Sequence, residues 1–203
     1  MICIIDYDLG NLKSVFKAFE KINQKIIISN KKQDIQNASR LVLPGVGSFQ
    51  KGMDNLKKLN LDELLKEEVI YKKKPILGIC LGMQLFCKIG FEGGECEGLG
   101  FVDAKVSQFK LKKEKILHSG WDNVYYKNKS EIFKDIKENS DFYFVHSYYV
   151  ECFENVQTSM CDYEISFCSS FEKENIYATQ FHPEKSQSVG LKLLENFAKV
   201  NNA

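Results

Sequence analysis

The chain has 203 residues, 44% of them hydrophobic, and a formal net charge of +1. That length fits one large α/β domain or two small ones, with apolar surface enough for a sizeable core. The balanced charge supplies no long-range field for nucleic acid or an anionic membrane, and the lysine clusters at 72–74 and 110–115 read as solvated faces. The seven cysteines are odd in number and never form a Cys-x-x-Cys pair. Neither a disulfide framework nor structural zinc is expected, and reduced thiols of a cytoplasmic protein are the better reading. Met1 leads into an apolar strand with no basic leader, and no apolar run approaches the ~18 residues of a membrane span.

In chain order, residues 1–7 read as a buried strand that ends in Asp6-Tyr7-Asp8-Leu9-Gly10-Asn11. Leu12, Val15, Phe16, Phe19 and Ile22 follow at helical spacing. A strand at 25–28, a short polar helix around Asp34 and a strand at 40–43 come next, the last running into Pro44-Gly45-Val46-Gly47-Ser48-Phe49. Helical pattern resumes over 52–71 with a break near Asn60, and an apolar run at 76–79 reads as another buried strand. From Gly82 the spacing turns helical, with Met83, Phe86 and Cys87 on one face. This alternation predicts a mostly parallel sheet flanked by helices on both faces. The reactive loops of such a sheet lie at the carboxyl ends of its strands, where Asp6, Gly45 and Cys80 fall.

Beyond Gly100 the texture changes. Segments at 102–109, 115–117, 122–125, 142–150 and 159–170 are rich in Val, Ile, Phe and Tyr, and only 130–138 looks helical. They predict an antiparallel β section laid against the parallel sheet. A strand at 176–181 ends in His182-Pro183-Glu184, and an amphipathic helix over 186–200 closes the chain, with Val189, Leu193, Leu194 and Phe197 on its stripe. No repeat, low-complexity tract or linker interrupts the sequence, so residues 1–203 are expected to form a single domain.

Gly78-Ile79-Cys80-Leu81-Gly82 has the layout of a nucleophile elbow, written with cysteine. The glycines permit a tight strand-to-helix turn, and the sulfur is left at a helix N-terminus, where thiolate is favoured. Standing alone, the motif fits a buried inert cysteine equally well. A thiol attacking an acyl carbon also needs a base, an orienter for that base and oxyanion donors. The chain has three histidines: His118, His146 and His182. Only His182 has a carboxylate two residues on, across a stiffening proline, so Cys80, His182 and Glu184 form the candidate triad. Gly45, Val46 and Gly47 form the candidate oxyanion loop, with the N–H of Leu81 as a second donor.

These pieces, in this order, resemble the class I (triad-type) glutamine amidotransferases. Within that class Asp6-Tyr7-Asp8-Leu9-Gly10-Asn11-Leu12-Lys13-Ser14-Val15, Leu43-Pro44-Gly45-Val46-Gly47-Ser48-Phe49, His118-Ser119-Gly120-Trp121 and Phe181-His182-Pro183-Glu184-Lys185-Ser186 resemble the glutaminase subunit of imidazole glycerol phosphate synthase. The resemblance covers essentially the whole chain and implies a flavodoxin-like α/β fold. It implies that Cys80 attacks the carboxamide of glutamine, and that Gln84, Glu92, Ser147 and Tyr148 hold the substrate's amino-acid part. It implies no cofactor and no metal. The implied partner is a (β/α)8-barrel cyclase subunit in a heterodimer, which receives ammonia through a closed passage in a step of histidine synthesis. Asn11, His118, Trp121 and Lys185 fall at that interface. The chain departs from the family's pattern at Asp8, where glycine is usual, and at Leu117, Ser119 and Asp122 around the His118 motif. All of these face the expected partner, and a paralogous amidotransferase serving surface-sugar amidation would look much the same. A cysteine peptidase or thiol redox sensor could also use an elbow cysteine, but neither explains the glycine loop together with His182 and Glu184.

Overall fold

The computed structural model describes residues 1–112, 115–128 and 130–200. Lys113, inside the predicted basic cluster at 110–115, lies outside the described residues. The first half alternates strands and helices: β1 (Ile2–Ile5), α1 (Leu12–Lys21), β2 (Ile26–Ser29), α2 (Lys32–Asn37), β3 (Arg40–Gly45), α3 (Phe49–Lys58) and α4 (Leu61–Lys66), the last prolonged by a π-helical turn at Glu67–Tyr71. Then come β4 (Ile76–Cys80) and α5 (Leu81–Leu85). The second half is mostly strand: β5 (Cys87–Gly90), β6 (Cys96–Glu97), β7 (Val102–Gln108), β8 (His118–Tyr126), β9 (Ser140–His146), β10 (Tyr148–Cys152), β11 (Gln157–Tyr163), β12 (Ile165–Lys173) and β13 (Ile176–Thr179), followed by α6 (Gln187–Lys199).

Strands β2, β1, β3, β4 and β13 lie side by side in that order and run parallel. All of β1, β4 and β13 is buried, as expected of apolar runs covered on both faces. The pleat sends alternate residues to two separate clusters. Cys3 and Ile5 join Leu43, Leu81 and Phe86 in one; Ile2 and Ile4 join Val42, Ile79 and Phe197 in the other. Helix α1 buries Val15, Ala18 and Phe19 at helical spacing, and Asn60, in the left-handed region at φ 54°, makes the break between α3 and α4.

The antiparallel section differs from the expectation in its placement. It does not lie against the parallel sheet; it continues it, because β12 pairs antiparallel with β13 from Ser170↔Thr179 to Lys173↔Ile176. The sheet then runs on through β10, β7, β5 and β6, while β11 bridges β12 to β8, which pairs with β9. Backbone groups that a separate layer would leave unpaired are thereby satisfied in the plane.

Four local expectations are corrected. The helix after Cys80 stops at Leu85, and Cys87 begins a strand, since the carbonyls of Leu85 and Phe86 accept from Leu99, Phe101 and Val102 as the chain returns. Residues 130–138 form only a 3-10 turn, Glu131–Phe133. Asp135 and Asn139 adopt positive φ there, and the Asn196 amide takes the carbonyls of Ile132 and Lys134. Residues 115–117 form no strand, and Ile116 and Leu117 are exposed. The runs at 142–150 and 159–170 each divide into two strands, at Ser147 and at Glu164, whose φ is 58°.

Candidate active site

Cys80 ends β4 with φ 54° and ψ −108°, a strained conformation that turns its side chain out of the sheet and starts α5. The turn needs glycine at position 82, because a Cβ there would stand 1.7 Å from the Leu43 carbonyl oxygen. With α5 only five residues long, the helix dipole anticipated from the sequence is small. The charged group beside the sulfur is His182.

His182 follows β13, the strand beside β4, and its main-chain N–H donates to the Tyr143 carbonyl at 2.9 Å. Nδ1 lies 2.8 Å from Glu184 Oε1, with both side chains almost wholly buried. The other nitrogen, Nε2, is buried and has no partner of regular hydrogen-bond geometry; it faces the Cys80 sulfur. Burial alone would lower the imidazole pKa. Cys80, through charge and hydrogen bonding, and then Glu184 outweigh burial and raise it to about 10. The ring is therefore an imidazolium at neutral pH, held between the Cys80 sulfur and the Glu184 side chain.

Gly45 is the register partner of Cys80 across β3 and β4, which sets the glycine loop beside the nucleophile. Gly47 has φ 115°, a region glycine enters without strain, and Val46 is exposed. Val46, Gly47, Cys80 and Leu81 line a cavity of about 260 Å³, together with Gln84, Glu92, Ser147 and Tyr148. That volume lies just under the ~300–1,000 Å³ of sites for drug-sized ligands, as suits something of amino-acid size. Glu92 accepts from the Phe49 N–H at 2.8 Å, and burial raises its pKa.

The interface candidates divide. Trp121 is exposed and packs edge-on to Tyr143 at 5.9 Å, and Lys185 Nζ lies 5.5 Å from the same ring. Asn11 instead caps α1, its Oδ1 accepting from the Ser14 N–H. His118 is 2% exposed, so it cannot itself form a contact face. It belongs to a second buried cluster. His146 Nδ1 is 2.8 Å from the Tyr148 carbonyl oxygen, which only accepts, so Nδ1 carries the hydrogen. Burial, against that hydrogen bond, lowers His146 to about 3, so its Nε2 is a lone pair. That lone pair takes the hydrogen of His118 Nδ1 at 3.0 Å, and His118 Nε2 stands 2.7 Å from Asp122 Oδ2. A bond at the last contact needs a further proton on the His118–Asp122 pair, and burial, opposed by Asp122, lowers the His118 pKa.

Sequence reading missed the carbonyls of Val145 and Tyr148, and it missed Gln180, whose Nε2 lies 3.7 Å from Cys80 Sγ. Gln180 had a usable signal: it stands two residues before His182 on what the sequence reads as the end of a strand, the spacing that shares a face. The carbonyls had none, since a backbone atom leaves no mark in a residue string. Among the described residues no cluster of His, Cys, Asp or Glu could hold a metal ion, and no helix is long and apolar enough to cross a membrane.

A cysteine on a strained elbow, an imidazolium between it and a carboxylate, and a glycine loop alongside are an arrangement suited to thiol hydrolysis, on a doubly wound sheet. Residues 3–200 match the family described as glutamine amidotransferase class-I. The chain is 52% identical over 201 residues to the imidazole glycerol phosphate synthase subunit HisH 1 of Campylobacter jejuni (strain 81-176), covering 98% of this chain and 100% of that one. It is 46% identical over 198 residues to the HisH subunit of Aquifex aeolicus, covering 97% and 95%. The chain belongs to the class-I glutamine amidotransferases and, within them, to the HisH subunits of imidazole glycerol phosphate synthase. Its fold is shared with a crystal structure described as a glutamine amidotransferase, at a TM-score of 0.76 and 15% identity over 98% of this chain and 100% of that one.

Proposed function

We infer that this chain is the glutaminase subunit of an imidazole glycerol phosphate synthase, working in the cytoplasm as one amidotransferase domain with Cys80, His182 and Glu184 as its triad. The observation that carries this reading is His182 Nε2, buried without a regular partner and facing the Cys80 sulfur at the rim of an amino-acid-sized cavity. The thiolate attacks the side-chain carboxamide carbon of glutamine. A C–S bond forms and the carbonyl π pair moves to oxygen, held by the Gly45–Val46–Gly47 loop and the Leu81 N–H. Collapse breaks the C–N bond while His182 gives its Nε2 proton to nitrogen, so ammonia leaves and a glutamyl thioester remains. Water then gives a proton to Nε2 and attacks the thioester carbon. The C–S bond breaks, sulfur leaves as thiolate, and the new γ-carboxyl group gives its proton to water, so glutamate is released with the imidazolium restored. Gln84, Glu92, Ser147 and Tyr148 hold the substrate's ammonium and carboxylate ends, with Glu92 as partner for the ammonium.

Ammonia freed into water at neutral pH becomes ammonium, which is no nucleophile. The chain therefore docks on a cyclase subunit of (β/α)8-barrel form, through a surface carrying Trp121 and Lys185 with Asn11 nearby and His118 beneath. Glutamate release from glutamine, measured with and without that cyclase subunit in wild type and Cys80→Ala, tests the reading. It predicts fast release only from wild type in the complex; undiminished release by Cys80→Ala would end it. Asp8, Leu117, Ser119 and Asp122, all toward the docking side, favour a second reading in which a barrel paralogue in surface-sugar amidation is the partner. Co-purification from the native cell decides between them by which barrel comes down.

A further inference from the structure

A chain of polar contacts runs inward from the Tyr148 carbonyl oxygen to the nucleophile, and its chemistry has one sense only. Gln84 Nε2 lies 3.1 Å from that oxygen and 3.1 Å from Gln180 Oε1. Gln180 Nε2 lies 3.7 Å from Cys80 Sγ. Side-chain amides can usually be turned end for end, but a backbone carbonyl only accepts. Tyr148 therefore requires the NH2 end of Gln84, and the second hydrogen of that NH2 requires the oxygen end of Gln180. Turning Gln180 over would bring two NH2 groups face to face and leave an oxygen against the sulfur. Both side chains are buried, Gln84 at 4% and Gln180 at 0% exposure, so water cannot repair a wrong orientation.

We propose that Gln180 is a catalytic residue whose side-chain amide donates to the Cys80 sulfur, and that Gln84 is the positioning residue that keeps the donor end towards it. The inference rests on Cys80 being the glutaminase nucleophile. An N–H donor favours thiolate over thiol, because a sulfur anion accepts a hydrogen bond far better than a neutral thiol. Fixed in a dry site, it needs no reorganisation when the charge appears. It acts twice in a turnover: before attack, when the thiolate must exist, and at breakdown of the thioester, when sulfur leaves with the electron pair. His182 supplies the proton traffic; Gln180 donates hydrogen bonds and moves no proton. Gln84 thus has a task in the free protein besides lining the cavity.

The test is the pH dependence of Cys80 alkylation by iodoacetamide, followed on the Cys80 peptide by mass spectrometry in the full chain. Gln180→Met keeps length and loses the donor; its alkylation midpoint is expected to rise by about one pH unit. Glutamine turnover in the complex with the cyclase subunit should fall roughly tenfold or more. Gln84→Leu frees the Gln180 amide to turn and should move the midpoint the same way by less. Midpoints that superimpose on wild type in both variants overturn the proposal, even if turnover is lost. Should Gln180→Met not fold, wild type labelled with nitrogen-15 glutamine decides. The Gln180 side-chain amide protons are expected to shift as Cys80 ionises and to stay still in Cys80→Ala; amide protons that never move overturn it. A wild type that shows these shifts yet releases no glutamate with any cyclase subunit would remove the proposed function and leave Gln180 as the partner of the sulfur.

Discussion

His182 and His146 are equally hidden, at 2% and 6% exposure, yet burial leaves one charged and the other neutral. His182 is raised to about 10 and His146 lowered to about 3. The difference is the company each keeps. His182 faces two groups that can be negative, Cys80 and Glu184, and their attraction exceeds the cost of losing water. His146 faces a carbonyl and a second imidazole, which offer dipoles but no opposite charge. The first cluster lies at the ends of parallel strands and keeps a proton on His182. The second lies on antiparallel strands and fixes hydrogen-bond direction.

The largest effect should come from breaking the charged cluster. Cys80→Ala is expected to cut glutamate release on the order of 10⁴-fold or more while the fold survives, read by steady-state turnover in the complex and by circular dichroism. Glu184→Gln keeps the shape and removes the charge that orients the ring; turnover should fall about 10²–10⁴-fold, and the pH profile should show the His182 pKa displaced downward.

Stability against pH separates the two imidazoles with opposite signs. His182 has a folded-state pKa above the ordinary ~6.5 of free histidine, so its contribution is complete below ~6.5 and is lost as pH rises through about 10. His146 has a folded-state pKa below ~6.5, so its neutral burial costs nothing above that value, and stability is lost as pH falls from ~6.5 toward about 3. Thermal midpoints across pH should therefore decline on both flanks. Cys80→Ala should flatten the alkaline flank and His146→Gln the acid one; an acid flank unchanged by His146→Gln would contradict the assignment.

The smallest effect concerns Asp122. Once the shared proton is gone, its carboxylate meets a lone pair on His118 Nε2 at 2.7 Å. Asp122→Asn can donate there to the neutral ring. It should raise the thermal midpoint by a few degrees at about pH 8, equivalent to about 1 kcal/mol or less, and give nothing at about pH 5.

Most of the charged cluster was legible because its chemistry is carried by side chains in short motifs. Gly78, Cys80 and Gly82 mark the elbow, His182 and Glu184 stand two apart, and the apolar runs of β1, β3 and β4 announce the parallel sheet. The neutral cluster was not legible. Its direction comes from the Tyr148 carbonyl, and the pairing of His118 with His146 across β8 and β9 is a register fact fixed by residues far apart in the chain. The same cause explains the helix that ends at Leu85: local spacing allowed it to continue, but residues 99–102 return to donate to the Leu85 and Phe86 carbonyls and draw the chain into a strand. His118, placed at the partner surface from the sequence, proved to be a buried link because strand pairing decides which face a residue turns to the core.

With only three histidines in the chain, the ring nitrogens can be read directly by nitrogen-15 nuclear magnetic resonance. At about pH 8.5, between the ordinary histidine value of ~6.5 and the raised value of about 10, the account predicts one imidazolium, His182, that becomes neutral in Cys80→Ala. His146 should appear as the neutral Nδ1–H form. A wild-type spectrum with all three rings neutral would mean that no thiolate–imidazolium pair stands at the elbow.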